Sequence, residues 1–174
     1  MKRDMKAWKA DLIASKTKRA MPILSFPCVS LMDITVAQLT SDPELQARGM
    51  KLVTDRAPTA AAVSMMDLSV EAEAFGATAH FMPGEVPTVK EALVTTPEEA
   101  VALQVPAVGA GRTGKYVEAI RQACQLITDR PVLAGVIGPY SLAGRLMGVS
   151  DIMIQCYDEP EAVHTVLQKA TDFL

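Results

Sequence analysis

Short apolar runs alternate with helical segments along the chain, and this order limits the folds open to it. The runs occupy residues 22–30, 59–70 and 130–139. Such a continuous apolar run is typical of a strand buried on both faces of a parallel sheet. The long connections leave room for the crossover helices that parallel strands require. The pattern therefore predicts an α/β protein built from parallel βα units.

Apolar stripes and capping signals predict the positions of the helices. An amphipathic first helix is expected over residues 3–19, and a second over 43–56 after a capping box formed by Ser41 and Glu44. The best-defined helix, at 114–127, carries one apolar stripe, made of Tyr116, Ile120, Ala123, Cys124 and Ile127. Further helices are predicted at 71–76, after the capping box at 96–99, and at 141–148, 151–157 and 160–174. A strand at 79–82 is expected to end in a turn at Pro83 and Gly84.

The composition and the lack of targeting signals argue against nucleic-acid binding, membrane insertion and secretion. The chain has 174 residues, of which 49% are hydrophobic and 21% charged, so it can bury the core of one domain. A net charge of −3 leaves no basic surplus for nucleic acid. The sequence shows neither a secretory signal nor an apolar segment long enough to span a membrane. Cys28, Cys124 and Cys156 form no disulfide pattern, which suits a reducing cytoplasm. We therefore expect a cytoplasmic protein without nucleic-acid or membrane partners.

A glycine-rich string at residues 109–116, GAGRTGKY, admits two interpretations. It satisfies the G-x-G-x-x-G pattern of dinucleotide-binding turns and nearly satisfies the P-loop pattern. However, Tyr116 stands where a P-loop needs a serine or threonine to bind Mg²⁺, and Pro106 interrupts the preceding run. The pattern therefore favours a glycine-rich loop that opens a helix over a nucleotide site.

Two carboxylates near the end of the second run are candidates for catalysis. Asp67 ends that run, and a side chain at the carboxyl end of a parallel strand faces the site of an α/β barrel. It could equally cap the next helix. Glu71 follows four residues later, so a helix would place both groups on one face, where they could divide acid and base roles or simply be solvated. Cys28, near the end of the first run, is either a site residue or a buried structural thiol.

The segment 137–148 is a further candidate for substrate binding. A strand ends at Gly138 and Pro139, and the N–H groups of the helix that follows could hold an anionic group, with Arg145 adding positive charge. The alternative is a tight turn that packs through Gly144. His80 and His164 are isolated, so no zinc site can be assembled from this chain.

Several strings resemble the uroporphyrinogen decarboxylase superfamily. They are MMDLSVEAEAFGA, IGPYSLAGRLMG and YDEPEAVHTVLQKATDFL, at 65–77, 137–148 and 157–174. The resemblance implies a (β/α)8 TIM barrel, of which residues 1–174 would form a single domain corresponding to the N-terminal half, with a leading helix at 1–20. The helix that reaches Leu174 without a stop signal fits the expectation that a longer barrel continues beyond it.

Members of the superfamily catalyse one of two reactions, and the motifs of this chain can be compared with those of each branch. The true decarboxylases carry two arginines after the first strand, whereas the corresponding segment here, SFPCVSLMDITV, has none. The family's aspartate matches Asp67, and the tyrosine expected after the Gly-Pro turn is replaced by Arg145. The strings DLSVEAEAFGA and GPYSLAGRLMG look closer to the zinc-dependent corrinoid:thiol methyltransferases.

The resemblance implies transfer of a methyl group from a methyl-corrinoid protein to a thiol such as coenzyme M, with zinc held by residues outside this chain. The alternatives are uroporphyrinogen decarboxylase, which acts on a tetrapyrrole without a cofactor, and a non-enzymatic half-barrel binding module. Asp67 and Glu71 are the predicted catalytic residues, and Cys28, Tyr140 and Arg145 the predicted substrate-binding residues. We expect the 174-residue chain alone to bind no zinc and to be inactive. Its open sheet edges should make it either form homo-oligomers or be poorly soluble.

Overall fold

The computed structural model describes residues 3–23, 26–82 and 84–174. Within these ranges helices predominate, and the strands are short. The helices are α1 (Met5–Ala14), α2 (Cys28–Met32), α3 (Val36–Ser41), α4 (Pro43–Arg56), α5 (Val70–Ala74), α6 (Pro97–Ala102), α7 (Thr113–Leu126), α8 (Pro139–Met147), α9 (Asp151–Asp158) and α10 (Pro160–Phe173). The strands are β1 (Ala62–Val63), β2 (Ala79–His80), β3 (Thr88–Val89) and β4 (Val132–Leu133).

The second and third apolar runs pair as parallel strands, as the sequence predicts. Ala62 of β1 lies opposite Val132 of β4, and Val63 lies opposite Leu133. The N–H of Ser64 donates to the carbonyl oxygen of Leu133 at 3.0 Å. The predicted strand at 79–82 forms instead an antiparallel hairpin between β2 and β3. The chain is thus an α/β protein, and the strand pairs among the described residues do not close into a barrel.

Helices α4 and α7 pack together beside the parallel pair. Their shared core contains Ala47 and Met50 from α4, Ala62 from β1, and Ala123 and Ile127 from the α7 side. A second and larger core lies around α8, α9 and α10, with Leu142, Leu146, Met147, Ile152, Val163 and Val166 at its centre. Fully burying each such aliphatic side chain contributes about 1.5–3 kcal/mol, so this core holds α8, α9 and α10 together.

The N-terminal part of the chain differs most from the sequence prediction. Residues 24 and 25 of the first apolar run lie outside the described residues, and Cys28 begins α2 instead of ending a strand. Pro27 precedes it as the N-cap with a φ of −56°, the angle that its ring imposes, and this angle suits the start of a helix. The leading helix is confirmed but is shorter than predicted, because Asp4 caps it and Ser15 ends it.

Three local predictions also need correction or fall outside the described residues. Asp42, not Ser41, caps α4, and its Oδ1 accepts the N–H of Glu44 at 2.8 Å. Cys124 is exposed, because the buried stripe of α7 runs through Ala119 and Ala123. The turn predicted at Pro83 and Gly84 includes residue 83, which the structure does not describe. Among the described helices, none is long and apolar enough to cross a membrane.

Candidate functional site

A cavity of about 410 Å³ lies at the carboxyl ends of β1 and β4. Ser64 and Met65 line it after β1, and Ala134, Gly135 and Val136 line it after β4. The N–H of Gly135 donates to Ser64 Oγ at 2.8 Å, which ties the two strand ends together. In parallel α/β folds ligands bind at this end of the strands, so the position of the cavity favours a functional site.

The wall of the cavity is mainly apolar and contains few polar side chains. Gln46 of α4, Glu71 of α5 and Tyr116 of α7 reach it, and Cys28 lines it from the start of α2. None of the described residues that line the cavity is a lysine, an arginine or a histidine. The remaining apolar lining comes chiefly from Leu39, Met50, Met65, Val70, Val108, Val117, Ile120, Val136, Phe173 and Leu174.

Asp67 lies beside the cavity and uses all of its hydrogen-bonding capacity within the protein. Its Oδ1 accepts the N–H of Ser69 at 3.0 Å and the Ser69 hydroxyl at 2.6 Å. Its Oδ2 accepts Arg112 Nη1 at 2.5 Å and the Tyr116 hydroxyl at 2.9 Å. A carboxylate offers about four acceptor sites, so none is left for a substrate. Asp67 therefore fixes the turn into α5 and connects it to α7.

Arg112 is the centre of this arrangement, which we call the Arg112 cluster: Asp67, Ser69, Glu73, Arg112 and Tyr116. Besides Asp67, its guanidinium binds Glu73 Oε2 at 2.5 Å and Ser69 Oγ at 3.0 Å. Burial alone would lower the pKa of Arg112, but the two carboxylates outweigh burial and raise it. Burial, reinforced by Asp67, raises the pKa of Tyr116, so its hydroxyl stays a donor. The cluster is thus a closed set of hydrogen bonds around one cation and two carboxylates.

The glycine-rich string explains how Arg112 reaches this position. Gly109 and Gly111 adopt positive φ angles of 84° and 56°, which glycine adopts most readily. A Cβ on Gly111 would lie 3.4 Å from the Cα of Ala74, so the loop packs tightly against α5. The string therefore places a buried arginine between two elements, in agreement with the loop interpretation of the sequence.

Glu71 is the carboxyl group that remains available. It is 7% exposed, and its Oε1 accepts the N–H of Ile137 at 3.2 Å. Its Oε2 is buried and has no hydrogen-bond partner among the described residues. Burial raises the pKa of Glu71, with Asp67 adding to the effect, and the hydrogen bond from Ile137 only partly offsets it. Gln46, which is 5% exposed, likewise has an unpartnered Nε2 among the described residues.

The structure brings together three of the five predicted site residues. Cys28 and Glu71 line the cavity, and Asp67 lies next to it. Burial raises the pKa of the Cys28 thiol, which keeps the group protonated. Tyr140 and Arg145 lie on α8, away from the cavity wall, and Tyr140 is 49% exposed. The substrate-binding role of these two residues stays a prediction.

Local sequence patterns do not indicate that one site region contains Gln46, Ser69, Glu73, Arg112 and Tyr116. A signal existed for Gln46, because it is a polar residue on the face of α4 that also carries Ala47 and Met50. Arg112 was hidden inside a glycine pattern that suggests phosphate binding. Its partners come from 39 and 45 residues away in sequence, a distance that local patterns do not bridge.

The described residues do not fit a zinc site. No group of three His, Cys, Asp or Glu side chains among them is arranged to hold a metal ion. Cys28 is a buried thiol without a second thiol or an imidazole at the cavity. The chemistry of this donor set does not match zinc, which takes three or four nitrogen, sulfur or carboxylate ligands.

Comparison with known proteins identifies one family and several solved structures of similar fold. The sequence matches the family model of Uroporphyrinogen decarboxylase (URO-D) over residues 18–174. No curated protein matches it. The solved structure of a methyltransferase from Methanosarcina mazei is similar in fold, with a TM-score of 0.81 and 20% sequence identity. The match covers 94% of this chain and 51% of that one, so the chain spans about half the length of this relative.

Proposed function

Because this chain belongs to the uroporphyrinogen decarboxylase family, we propose that it forms part of a methyltransferase in which a methyl group passes from a methyl-corrinoid protein to a thiol such as coenzyme M. The similar fold of the Methanosarcina mazei methyltransferase is consistent with this branch of the family. The observation that carries the proposal is the mainly apolar wall of the cavity, in which none of the described residues is cationic.

Uroporphyrinogen carries eight carboxylates, and their recognition requires cationic side chains. None of the described residues lining the cavity is cationic. The nearby Arg112 is already paired with Asp67 and Glu73. An apolar wall suits methyl transfer better, because a methyl group has no charge to recognise and because water must be kept from the reacting carbon.

Within this proposal the chain's own residues have distinct tasks. The apolar wall excludes water, and the Arg112 cluster fixes the first turn of α5, which carries Glu71. Glu71 lines the cavity, and in this proposal its carboxyl group exchanges a proton with a substrate group there, since its raised pKa brings it closer to that of a thiol. Asp67 acts on Glu71 only by positioning α5. Zinc would be held by residues outside this chain and would supply activation of the thiol.

Parallel assays of two reactions test this proposal. The 174-residue chain, and a longer protein that contains it, would be incubated with methylcobalamin and 2-mercaptoethanesulfonate, and the methylated thiol measured by mass spectrometry. A second arm would supply uroporphyrinogen and measure carbon dioxide release. We expect methylated thiol from the longer protein, and at least tenfold less from its Glu71→Gln variant. Glu85→Gln, in an exposed loop, is the matched control.

Each other result supports a different conclusion. Carbon dioxide release without methyl transfer would replace the proposal with a decarboxylase. Absence of both activities in every form of the protein would favour the non-enzymatic binding module. Full methyl transfer by the 174-residue chain would contradict the expectation that this segment alone is inactive.

A further inference from the structure

Helix α9 presents apolar side chains to solvent on the side that faces away from the core. Met153, Ile154 and Tyr157 are 55%, 59% and 89% exposed, whereas Ile152 belongs to the core and is 1% exposed. Tyr157 follows the other two exposed residues by four and three positions, so the three side chains share one side of the helix. An exposed apolar surface with a polar rim is typical of a protein interaction site.

The rim of this surface is acidic. Asp151 precedes Ile154 by three residues and Asp158 follows it by four, so both carboxylates flank the apolar side chains. Both are exposed, neither has an ion pair among the described residues, and α9 contains no lysine or arginine. The α9 face, as we name it, consists of Asp151, Met153, Ile154, Tyr157 and Asp158.

Helix α1 carries the opposite charge and is also largely uncovered, because none of its residues is fully buried. Lys6, Lys9 and Ile13 are spaced by three and four residues and therefore share one side of the helix. Ile13 is 70% exposed, and neither lysine has a partner among the described residues. Residues 3–19 contain six lysines and arginines against two aspartates, although the whole chain has a net charge of −3. The α1 face is the set Lys6, Lys9 and Ile13.

The two faces complement each other in charge, and each has an exposed isoleucine beside its charged groups. We propose that the α1 face of one copy of this chain docks on the α9 face of a second copy. Ile13 then packs against the apolar side chains of the α9 face, and Lys6 and Lys9 lie opposite its two aspartates. Exposed ion pairs contribute little individually, so the apolar contact supplies most of the affinity and the charges select the partner surface.

The symmetry of the contact follows from the difference between the two faces. In a two-fold dimer each copy supplies one α1 face and one α9 face, so the same contact forms twice. This inference concerns assembly and holds whichever reaction the protein catalyses. It also differs from pairing at open sheet edges, which would not depend on the charges of α1 and α9.

Sedimentation velocity over a range of micromolar concentrations tests the proposal, both for the 174-residue chain and for a longer protein that contains it. We expect a dimer whose Kd rises with salt concentration, because salt screens exposed charges. The double variant Lys6→Glu, Lys9→Glu should raise the Kd about tenfold, and so should Asp151→Lys with Asp158→Lys, because like charges then face each other. Circular dichroism checks that each variant keeps its helices.

The matched control reverses two cations elsewhere. Lys90 and Lys115 are exposed and lie outside both faces. Lys90→Glu with Lys115→Glu changes the net charge by the same amount as the α1 variant, and we expect it to leave the Kd unchanged. An equal loss of association in this control would show that only net charge matters and would overturn the inference.

Combining the two double reversals gives the sharpest test, since it restores opposite charges across the contact with their positions exchanged. We expect the Kd of this fourfold variant to return to within about threefold of the original value. Failure to recover would overturn the inference, and so would a protein that stays monomeric. A dimer of the 174-residue chain together with a monomeric longer protein would also overturn it, because the rest of that protein would then cover one of the faces.

A last pair of variants tests the apolar contact. Ile13→Ser should raise the Kd about tenfold, because Ile13 is the exposed apolar side chain that the α1 face contributes. Val101→Ser is the control, since Val101 of α6 is likewise 70% exposed but lies outside both faces. Equal effects of the two substitutions would contradict docking through Ile13.

Discussion

The Arg112 cluster and the cavity wall lie side by side and treat polar groups in opposite ways. In the cluster, both oxygens of Asp67 and all three nitrogens of the Arg112 guanidinium have partners. In the wall, one atom of Gln46 and one of Glu71 have none among the described residues. Tyr116 belongs to both regions, because its hydroxyl binds Asp67 while its ring lines the cavity.

The difference separates polar groups that build the fold from those that remain free to act. A closed set of hydrogen bonds offers nothing to a substrate, even when it contains an aspartate at the expected end of a strand. An unpartnered carboxyl group in an apolar wall is costly to the folded protein. Glu71 is therefore a better candidate than Asp67 for direct contact with substrate.

Removing Arg112 should give the largest effect on stability. Arg112→Met leaves the carboxylate of Asp67 buried without its counter-charge, and breaking a buried ion pair in this way costs about 3–5 kcal/mol. Urea unfolding followed by circular dichroism measures the loss. Arg121→Met is the control, because its exposed pair with Glu118 should contribute less than about 1 kcal/mol. Similar losses in both variants would contradict the central role of the cluster.

Removing the hydroxyl of Tyr116 should give a smaller loss. Tyr116→Phe deletes one hydrogen bond to the Asp67 carboxylate and keeps the ring, so we expect the free energy of unfolding to fall by about 1.5–3 kcal/mol. Tyr157→Phe, at an 89% exposed position, should change it by less than about 0.5 kcal/mol. An unchanged stability of Tyr116→Phe would mean that Asp67 does not depend on this donor.

Helices α2 and α4 are in close contact at Gly49, where a larger residue should destabilise the protein. A Cβ on Gly49 would lie 2.6 Å from Cys28 Sγ, so Gly49→Ala should overpack this contact at a cost of about 1–3 kcal/mol. The better helix propensity of alanine offsets up to about 1 kcal/mol of that cost. In a Cys28→Ala background, where Sγ is gone, the same substitution should cost much less. A double-mutant cycle without coupling would disprove the contact.

Glu71 should give the smallest effect, visible mainly as a dependence on pH. Its folded-state pKa is raised above the ordinary glutamate value of 4.5, so the folded protein holds this proton more tightly than the unfolded chain. The stability that this proton contributes is therefore complete below pH 4.5 and is lost as pH rises through the folded pKa.

The variant Glu71→Gln mimics the protonated carboxyl and should lose this part of the pH dependence. Urea unfolding between pH 4 and 7 would show a flatter profile and higher stability at pH 7 than in the unchanged protein. Glu85→Gln should leave the profile as it is. A profile for Glu71→Gln that still falls with pH as steeply would show that Glu71 is not the group responsible.

Much of the fold could be predicted from the sequence, because its signals are local. Helices α4, α6, α7 and α10 begin and end close to the predicted residues, since their capping residues and apolar stripes lie within the segment itself. The parallel pairing of 59–70 with 130–139 followed from the apolar runs. The hairpin partner of 79–82 was not found, because β3 consists of only two residues, Thr88 and Val89, which give no strand pattern.

The site was only partly predictable, because its chemistry depends on pairing between distant residues. Asp67 and Glu71 were predicted from the end of the apolar run and from helical spacing. Asp67 precedes α5, however, so the prediction that the two carboxyl groups share one helix face is wrong. Which of the two would be free depended on Arg112, whose approach across the loop no spacing rule reveals. Whether Asp67 and Glu71 are the catalytic residues stays a prediction that the assays above can test.

The parallel pairing of β1 with β4 also affects how quickly the chain can fold. Ser64 and Gly135, whose hydrogen bond closes the strand ends, are 71 residues apart in sequence. Contacts of such high sequence separation form slowly, because the chain must lose the entropy of a long loop before the pairing rewards it. Helices such as α7 and α10 can form early from local contacts. The cavity, which needs both strand ends, should therefore be among the last parts of the molecule to assemble.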